Sequence, residues 1–189
     1  MRIRIFFACI IFPLSFSSVA FSKDRYIRKI GDILQFTNPM FGTAIASQNK
    51  GTGHFLYIYS EGLGITYASK LTGKIYKPKT GKRPYKKNKK PRYDGLPSGH
   101  TYSAWASASY VRNFSNEYNQ SAPLYLAAIF TAYSRVESRE HTISQVVAAA
   151  LLAEIVNSIN SKLEWNKEYR YISITPLEKT LGINIEIRL

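Results

Sequence analysis

The chain has one cysteine in 189 residues. It is Cys9, inside an apolar N-terminal segment, so the rest of the chain has no disulfide, no thiol nucleophile and no cysteine-based metal site. Histidine is nearly as scarce: His54, His100 and His141 are the three present. Acidic residues number 12 against 26 Lys and Arg, for a formal charge of +14. Beyond the N-terminal segment no clean apolar run reaches the roughly eighteen residues of a membrane span. There is no internal repeat, and no low-complexity tract outside one basic stretch.

The first residues read as a secretory signal. Arg2 and Arg4 form a basic start, Ile5 to Phe16 is apolar apart from Pro13 and Ser15, and small residues follow at Ser18, Ala20 and Ser22. Cleavage after Ala20 or Ser22 is expected, with an uncleaved anchor as the alternative. The expected organisation is a signal over residues 1–22, one domain over 23–165 and a tail over 166–189. The expected location is periplasmic, at or in the inner membrane and facing the periplasm.

The positive charge is concentrated. From Lys70 to Arg92 there are 11 basic residues and no acidic one. Such a block repels itself unless an anion is nearby. Nucleic acid is the generic partner of a basic patch, but an exported protein has little access to it. The expected partners are therefore a phosphorylated lipid or other phosphoester and an anionic membrane surface, with no nucleic acid.

Apolar spacing predicts helices over 27–47 (with Pro39 as a kink), 55–70, 100–114, 122–133 and 141–159, joined by loops at 71–97, 115–121 and 135–140. The last helix carries Ile143, Val146, Val147, Ala150, Leu151, Ile155 and Val156 as its apolar face. Small residues from Ser103 to Ser109 allow close approach of a neighbouring helix. Alternation over Tyr169–Ile174 and Ile183–Leu189, joined by Pro176–Gly182, predicts two short strands. The fold class is all-α, an antiparallel bundle of about five to six helices with a short β-like C-terminal appendage.

Three stretches carry chemistry. In Pro97-Ser98-Gly99-His100, Ser98 suits an N-cap and Gly99 lets a ligand approach the backbone. The free N–H groups of the helix that opens there would face an anion, and His100 sits in its first turn. In Ser134-Arg135 and His141, one helix closes on a guanidinium, the preferred clamp for phosphate oxygens, and the next opens on an imidazole. Gln145, four residues on, can orient His141 by accepting its N–H. Arg83-Pro84 lies upstream in the basic stretch. His54, among Phe55, Leu56 and Tyr57 with no partner spacing, reads as structural.

In this order the stretches resemble the type 2 phosphatidic-acid phosphatase superfamily, which also includes non-specific acid phosphatases and vanadium haloperoxidases. Its pattern is a Lys and an Arg-Pro, then Pro-Ser-Gly-His, then Ser-Arg, five residues and a His followed four later by Asp. The resemblance covers roughly residues 28–160 and implies a helical bundle with its site at one end. It implies His141 as nucleophile through a phosphohistidine, His100 as the acid for the leaving oxygen, and Arg83, Arg135, a lysine, Ser98 and Gly99 as phosphate ligands. No metal and no cofactor are implied. Gly81 to Tyr85 is similar to the lipid A phosphatase branch.

Two positions depart from the pattern. Gln145 stands where the family has Asp, and a neutral amide cannot stabilise an imidazolium by charge; Glu137 or Glu140 are candidate substitutes. The lysine usually seven residues before the Arg is replaced by Tyr76, which leaves Lys70, at the end of an apolar helix, as the first candidate and Lys77 as the second. The expected activity is metal-independent hydrolysis of a phosphate monoester or diphosphate, on a lipid such as lipid A, phosphatidate, phosphatidylglycerol phosphate or undecaprenyl diphosphate. The alternatives are a soluble broad-specificity acid phosphatase, a haloperoxidase (disfavoured by the short chain) and a non-catalytic anionic-lipid-binding relative.

Overall fold

A computed structural model describes residues 23–86, 89–115, 118–165, 171–177 and 180–186. The expected signal segment 1–22, with Cys9, lies outside the described residues, as does part of the 166–189 tail. The chain forms an antiparallel all-α bundle: α1 Lys23–Ser47, α2 Thr52–Tyr76, α3 Gly99–Phe114, α4 Ser121–Glu137 and α5 Ile143–Trp165. A hairpin of β1 Tyr171–Leu177 and β2 Thr180–Glu186 follows, antiparallel, with Ile174 opposite Ile183.

Helix α2 continues past the expected end at 70. It stops at Tyr76 because Pro78 disfavours helical backbone at the residue before it, and Lys77 turns out of the helix with φ 50°. Pro39 does not break α1, which runs through it. A proline supplies no N–H to the carbonyl four residues back, here that of Gln35. Ser103 of α3 donates its hydroxyl to that carbonyl at 2.7 Å. A neighbouring helix thus replaces the missing intrahelical bond.

Helix α3 is the axis of the bundle and packs on all four other helices. Every residue from Thr101 to Val111 is buried except Trp105, which is half-buried. The small side chains of this run, Ser103, Ala104, Ala106, Ser107, Ala108 and Ser109, are what let four helices close around it.

The interior holds buried polar groups beside apolar clusters such as Ile45, Phe55, Ile58, Val111 and Leu124. Asn38 of α1 donates to the carbonyls of Ala104 (3.2 Å) and Leu124 (2.9 Å), tying α1 to α3 and α4. Glu154 of α5 accepts from Trp105 Nε1 (2.8 Å), Tyr125 Oη (2.7 Å) and Ser109 Oγ (3.0 Å), tying α5 to α3 and α4. The exterior is apolar. On α5, Ile143, Val147, Leu151, Ile155, Ile159 and Leu163 recur every fourth residue and all are exposed, while Val146, Ala149, Ala153 and Val156 face inward. The apolar pattern of this helix therefore marks two faces, with the bulky aliphatics outside. Phe36 and Met40 on α1, Tyr57 and Leu71 on α2 and Leu126 on α4 continue the apolar exterior. Among the described residues, Ile143–Leu163 is the one helical segment long and apolar enough to cross a membrane by length and composition.

Helix direction alternates, so the N-terminal ends of α1, α3 and α5 and the C-terminal ends of α2 and α4 meet at one end of the bundle. The described residues of the 77–98 loop lie across that end. Ser103→Ala is expected to cost about 1–3 kcal/mol by stranding the Gln35 carbonyl and the Tyr59 hydroxyl, and less in a Pro39→Ala background, where the helix supplies its own N–H to Gln35. Thermal unfolding of the four proteins in this cycle checks it; equal costs in both backgrounds would contradict it.

Candidate active site

Two helix ends deliver the chemistry-bearing residues. At the start of α3, the Ser98 hydroxyl accepts the Thr101 hydroxyl at 3.1 Å and caps the helix. Ser98 is fully buried and does not line the cleft, whereas Gly99 and His100 do. At the end of α4, Arg139 takes a left-handed backbone with φ 52°. The N–H groups of Glu140 and His141 both donate to the Arg135 carbonyl, at 2.9 and 3.1 Å. This closure reverses the chain within a few residues and sets His141 beside Arg135 in the cleft.

His141 is held in one tautomer. Its Nδ1 lies 2.9 Å from the Gly95 carbonyl and 3.2 Å from Gln145 Oε1. The orientation of the Gln145 amide follows from its other partners: Nε2 donates to the carbonyls of Thr80 (3.0 Å) and Lys82 (2.8 Å), and Oε1 accepts from the Thr142 N–H (3.2 Å). Both neighbours of Nδ1 are therefore acceptors, so Nδ1 carries the proton and Nε2 keeps its lone pair. Glu140, a candidate substitute for the family's Asp, does not do this; it pairs with Arg28, Arg83 and Lys86. The Gly95 carbonyl does it instead. Burial, and then the charges of Arg83 and Lys70, push the His141 pKa down to about 3, against smaller opposing effects of its two hydrogen bonds. The imidazole is neutral at any ordinary pH.

Each arginine is aimed by a carboxylate. Arg135 donates to Asp32 Oδ1 at 2.7 Å and to the Arg28 carbonyl at 2.7 Å. Arg83 donates through Nε to Asp94 Oδ1 at 2.7 Å, and Arg92 donates to the other oxygen of Asp94 at 2.7 Å. Burial would raise the Asp94 pKa, but the hydrogen bonds and charges of Arg92 and Arg83 outweigh it and hold the carboxyl well below the usual range. Asp32 also lies 3.1 Å from His100 Nε2, linking the second histidine to Arg135. Burial and then the Arg135 charge push the His100 pKa down to about 4, with Asp32 acting the other way.

These groups line a cleft of about 780 Å³. Lys70, Arg83, Gly99, His100, Arg135 and His141 all face it. Lys70 Nζ lies beside Gly99 and 3.4 Å from the Asp94 carbonyl. Lys77 does not line the cleft; it caps α2 and is exposed. His54 lies at the other end of α2, its Nδ1 2.7 Å from Tyr110 Oη. Gln145 sits behind the cleft rather than in it, packed so closely on Gly95 that a Cβ there would fall 2.5 Å from Nε2.

The family model described as the PAP2 superfamily matches residues 55–168, more than half of the chain. The chain belongs to the PAP2 superfamily. No curated protein and no solved structure gives a match. Membership of the PAP2 superfamily supports phosphatase activity on phosphoesters. The match begins within α2, so α1 and its Asp32 lie outside it. Sequence reasoning missed Asp32, Asp94 and the Gly95 carbonyl. The available signals were a lone acid among the apolar residues of α1 and the first acid after the basic run.

The buried His141–Gln145 pair generates two expectations. Gln145→Asp, which restores the family's residue, is expected to lower kcat/KM by about tenfold or more, because a carboxylate cannot donate to the Thr80 and Lys82 carbonyls. Phosphate release checks this, and activity at or above wild type would contradict it. His141, with its folded pKa below the unfolded value, leaves the unfolded state with more bound protons between about pH 3 and 6.5. Its contribution to stability therefore falls as pH drops, by about 2 kcal/mol from pH 7 to 5. His141→Gln should lose less thermal stability than wild type over that range; an equal loss would contradict the assignment.

Proposed function

We propose that this protein is a metal-independent phosphatase of lipid phosphates that works by way of a phosphohistidine on His141. The observation that carries the reading is the His141 tautomer: its Nε2 lone pair is free in a cleft that also holds Arg83, Arg135, Lys70 and His100. Phosphoryl transfer asks chiefly for an in-line nucleophile and positioned positive charge around the equatorial oxygens. Arg83, Arg135, Lys70 and the Gly99 N–H supply that charge. The barrier to be removed is on the order of 20 kcal/mol for a phosphate monoester.

In the first step, His141 Nε2 bonds to phosphorus as the bond from phosphorus to the leaving oxygen breaks. The charge of the bound substrate offsets the Arg135 guanidinium that depresses His100, so His100 takes up a proton with the substrate and gives it to the leaving oxygen. In the second step, a water attacks the phosphohistidine, His100 takes the water's proton, and the N–P bond breaks to release inorganic phosphate. His141 needs no proton of its own to lose, which is consistent with its depressed pKa.

Two features support a lipid as substrate. The cleft runs from the charged end between α1 and α2 along Phe36, Met40, Leu56, Leu63 and Tyr67, a wall for an apolar chain. The many exposed aliphatic and aromatic side chains of α1, α2, α4 and α5 suit a bundle surrounded by lipid rather than water, which disfavours the soluble acid phosphatase. The N-terminal signal and the basic end fit a site at the periplasmic face of the inner membrane. Among lipid phosphates, the similarity of Gly81–Tyr85 to the lipid A phosphatase branch favours lipid A over phosphatidate or undecaprenyl diphosphate.

The test is phosphate release from a lipid phosphate panel and p-nitrophenyl phosphate in EDTA, for wild type and His141→Ala. Release that survives EDTA and falls at least about a thousandfold in the variant is expected. Release that needs a metal, or persists in His141→Ala, would contradict the mechanism. No release from any lipid would point to a binding protein.

A further inference from the structure

A second cavity, of about 180 Å³, lies under the basic loop, lined by Lys82, Tyr85, Lys86, Lys89, Lys90 and Arg139 among others. It shares Arg28, Arg83, Arg92 and Glu140 with the catalytic cleft. The two spaces therefore adjoin, with Arg83 in the wall of both.

The charges in this cavity do not balance. Asp94 is taken up by Arg83 and Arg92, and Glu140 by Lys86 and Arg28, with Arg83 also near it. Burial would raise the Glu140 pKa, but the hydrogen bond and charge of Lys86 and the charges of Arg28 and Arg83 keep it low, so its one negative charge is already counted. Among the described residues, Lys82, Lys89, Lys90 and Arg139 have no carboxylate within ion-pair distance. All four are exposed, so solvent screens their mutual repulsion, but their clustering around one concavity leaves a local positive potential that favours an anion there. The backbone adds a second observation. Arg139 occupies a left-handed position, φ 52°, that closes α4 and that glycine or asparagine would take with less strain. Arg139 lines the cavity from this position.

We propose that this cavity is a subsite for a second phosphate group of the same substrate, held across Arg83 from the phosphate that is cleaved. The proposal rests on the phosphatase reading and narrows its substrate to a molecule with two phosphate groups, such as a diphosphate or a bisphosphorylated headgroup. The first phosphate lies against His141, and the second stays on the Lys89, Lys90 and Arg139 side as an anchor.

The probes are methylenediphosphonate and methylphosphonate, which are not hydrolysed, titrated against the full chain in zwitterionic detergent. Wild type is expected to bind the diphosphonate at least about tenfold more tightly. Lys89→Ala/Lys90→Ala and, separately, Arg139→Gly are each expected to cut that preference to about twofold or less. Arg139→Gly relieves the left-handed backbone, so its thermal midpoint should not fall, and a lost preference would not come from unfolding. Equal binding of the two probes to wild type would overturn the proposal, as would a preference that survives in both variants. Anionic vesicles separate the remaining source of phosphate. Variants that lose vesicle binding but keep the diphosphonate preference would show a surface anchor and overturn the subsite. Because binding needs no turnover, a protein that releases no phosphate would defeat the phosphatase reading while leaving this result legible.

Discussion

Everything at the active end depends on fastening a loop of mutually repelling cations to the start of α5. The Gln145 side chain does this. Its amide donates twice, to the carbonyls of Thr80 and Lys82, and its oxygen accepts from Thr142 and faces His141. Its own backbone carbonyl accepts the Ser98 N–H at 3.0 Å, so the same residue also fixes the start of α3. The loop is closed further by bonds from Gly95 to Gly81 (2.9 Å) and from Arg83 to Arg92 (2.8 Å). Only a side chain with both donors and an acceptor can serve all these groups. The departure from the family's Asp is thus a redistribution: the Gly95 carbonyl holds the imidazole proton, and the residue at 145 is released to hold the loop.

The second constraint is electrostatic. If Arg83 and Arg135 grip a phosphate as proposed, they must be kept in place before it arrives, and each is kept by a carboxylate at 2.7 Å, Asp32 for Arg135 and Asp94 for Arg83. Those carboxylates offset part of the positive charge without occupying the whole guanidinium, whose fork has donors to spare. Preorganised cations cost no rearrangement when charge develops on the phosphoryl oxygens.

Much of this is legible in the sequence. The order of the Arg83, Ser98–His100 and Arg135–His141 stretches points to helix ends that meet, and Lys70 stands out from its place late in an apolar helix, although α2 runs on to Tyr76. The rest is hidden for physical reasons. A backbone carbonyl such as that of Gly95 has no signature in residue identity. Asp32 looks like an ordinary exposed acid on an amphipathic helix. Ser98 reads equally as a cap or a ligand, and its hydroxyl is engaged as a cap. The expected end of α2 falls too early; Gly73, beyond it, stays in the helix and admits the Tyr93 carbonyl against it. On α5 the apolar spacing reads as one face, although the bulky residues point outward. Periodicity reports that a face is apolar and not whether protein or lipid covers it.

The most direct test of the mechanism is to trap the reaction intermediate. Wild type and His141→Gln would be mixed with a lipid phosphate, quenched in alkali and mapped by mass spectrometry for a phosphoryl group. An acid-labile phosphoryl group on His141 is expected in wild type, and none in the variant. Turnover with no phosphoryl group on the protein, or with one on a different residue, would contradict a phosphohistidine at this position.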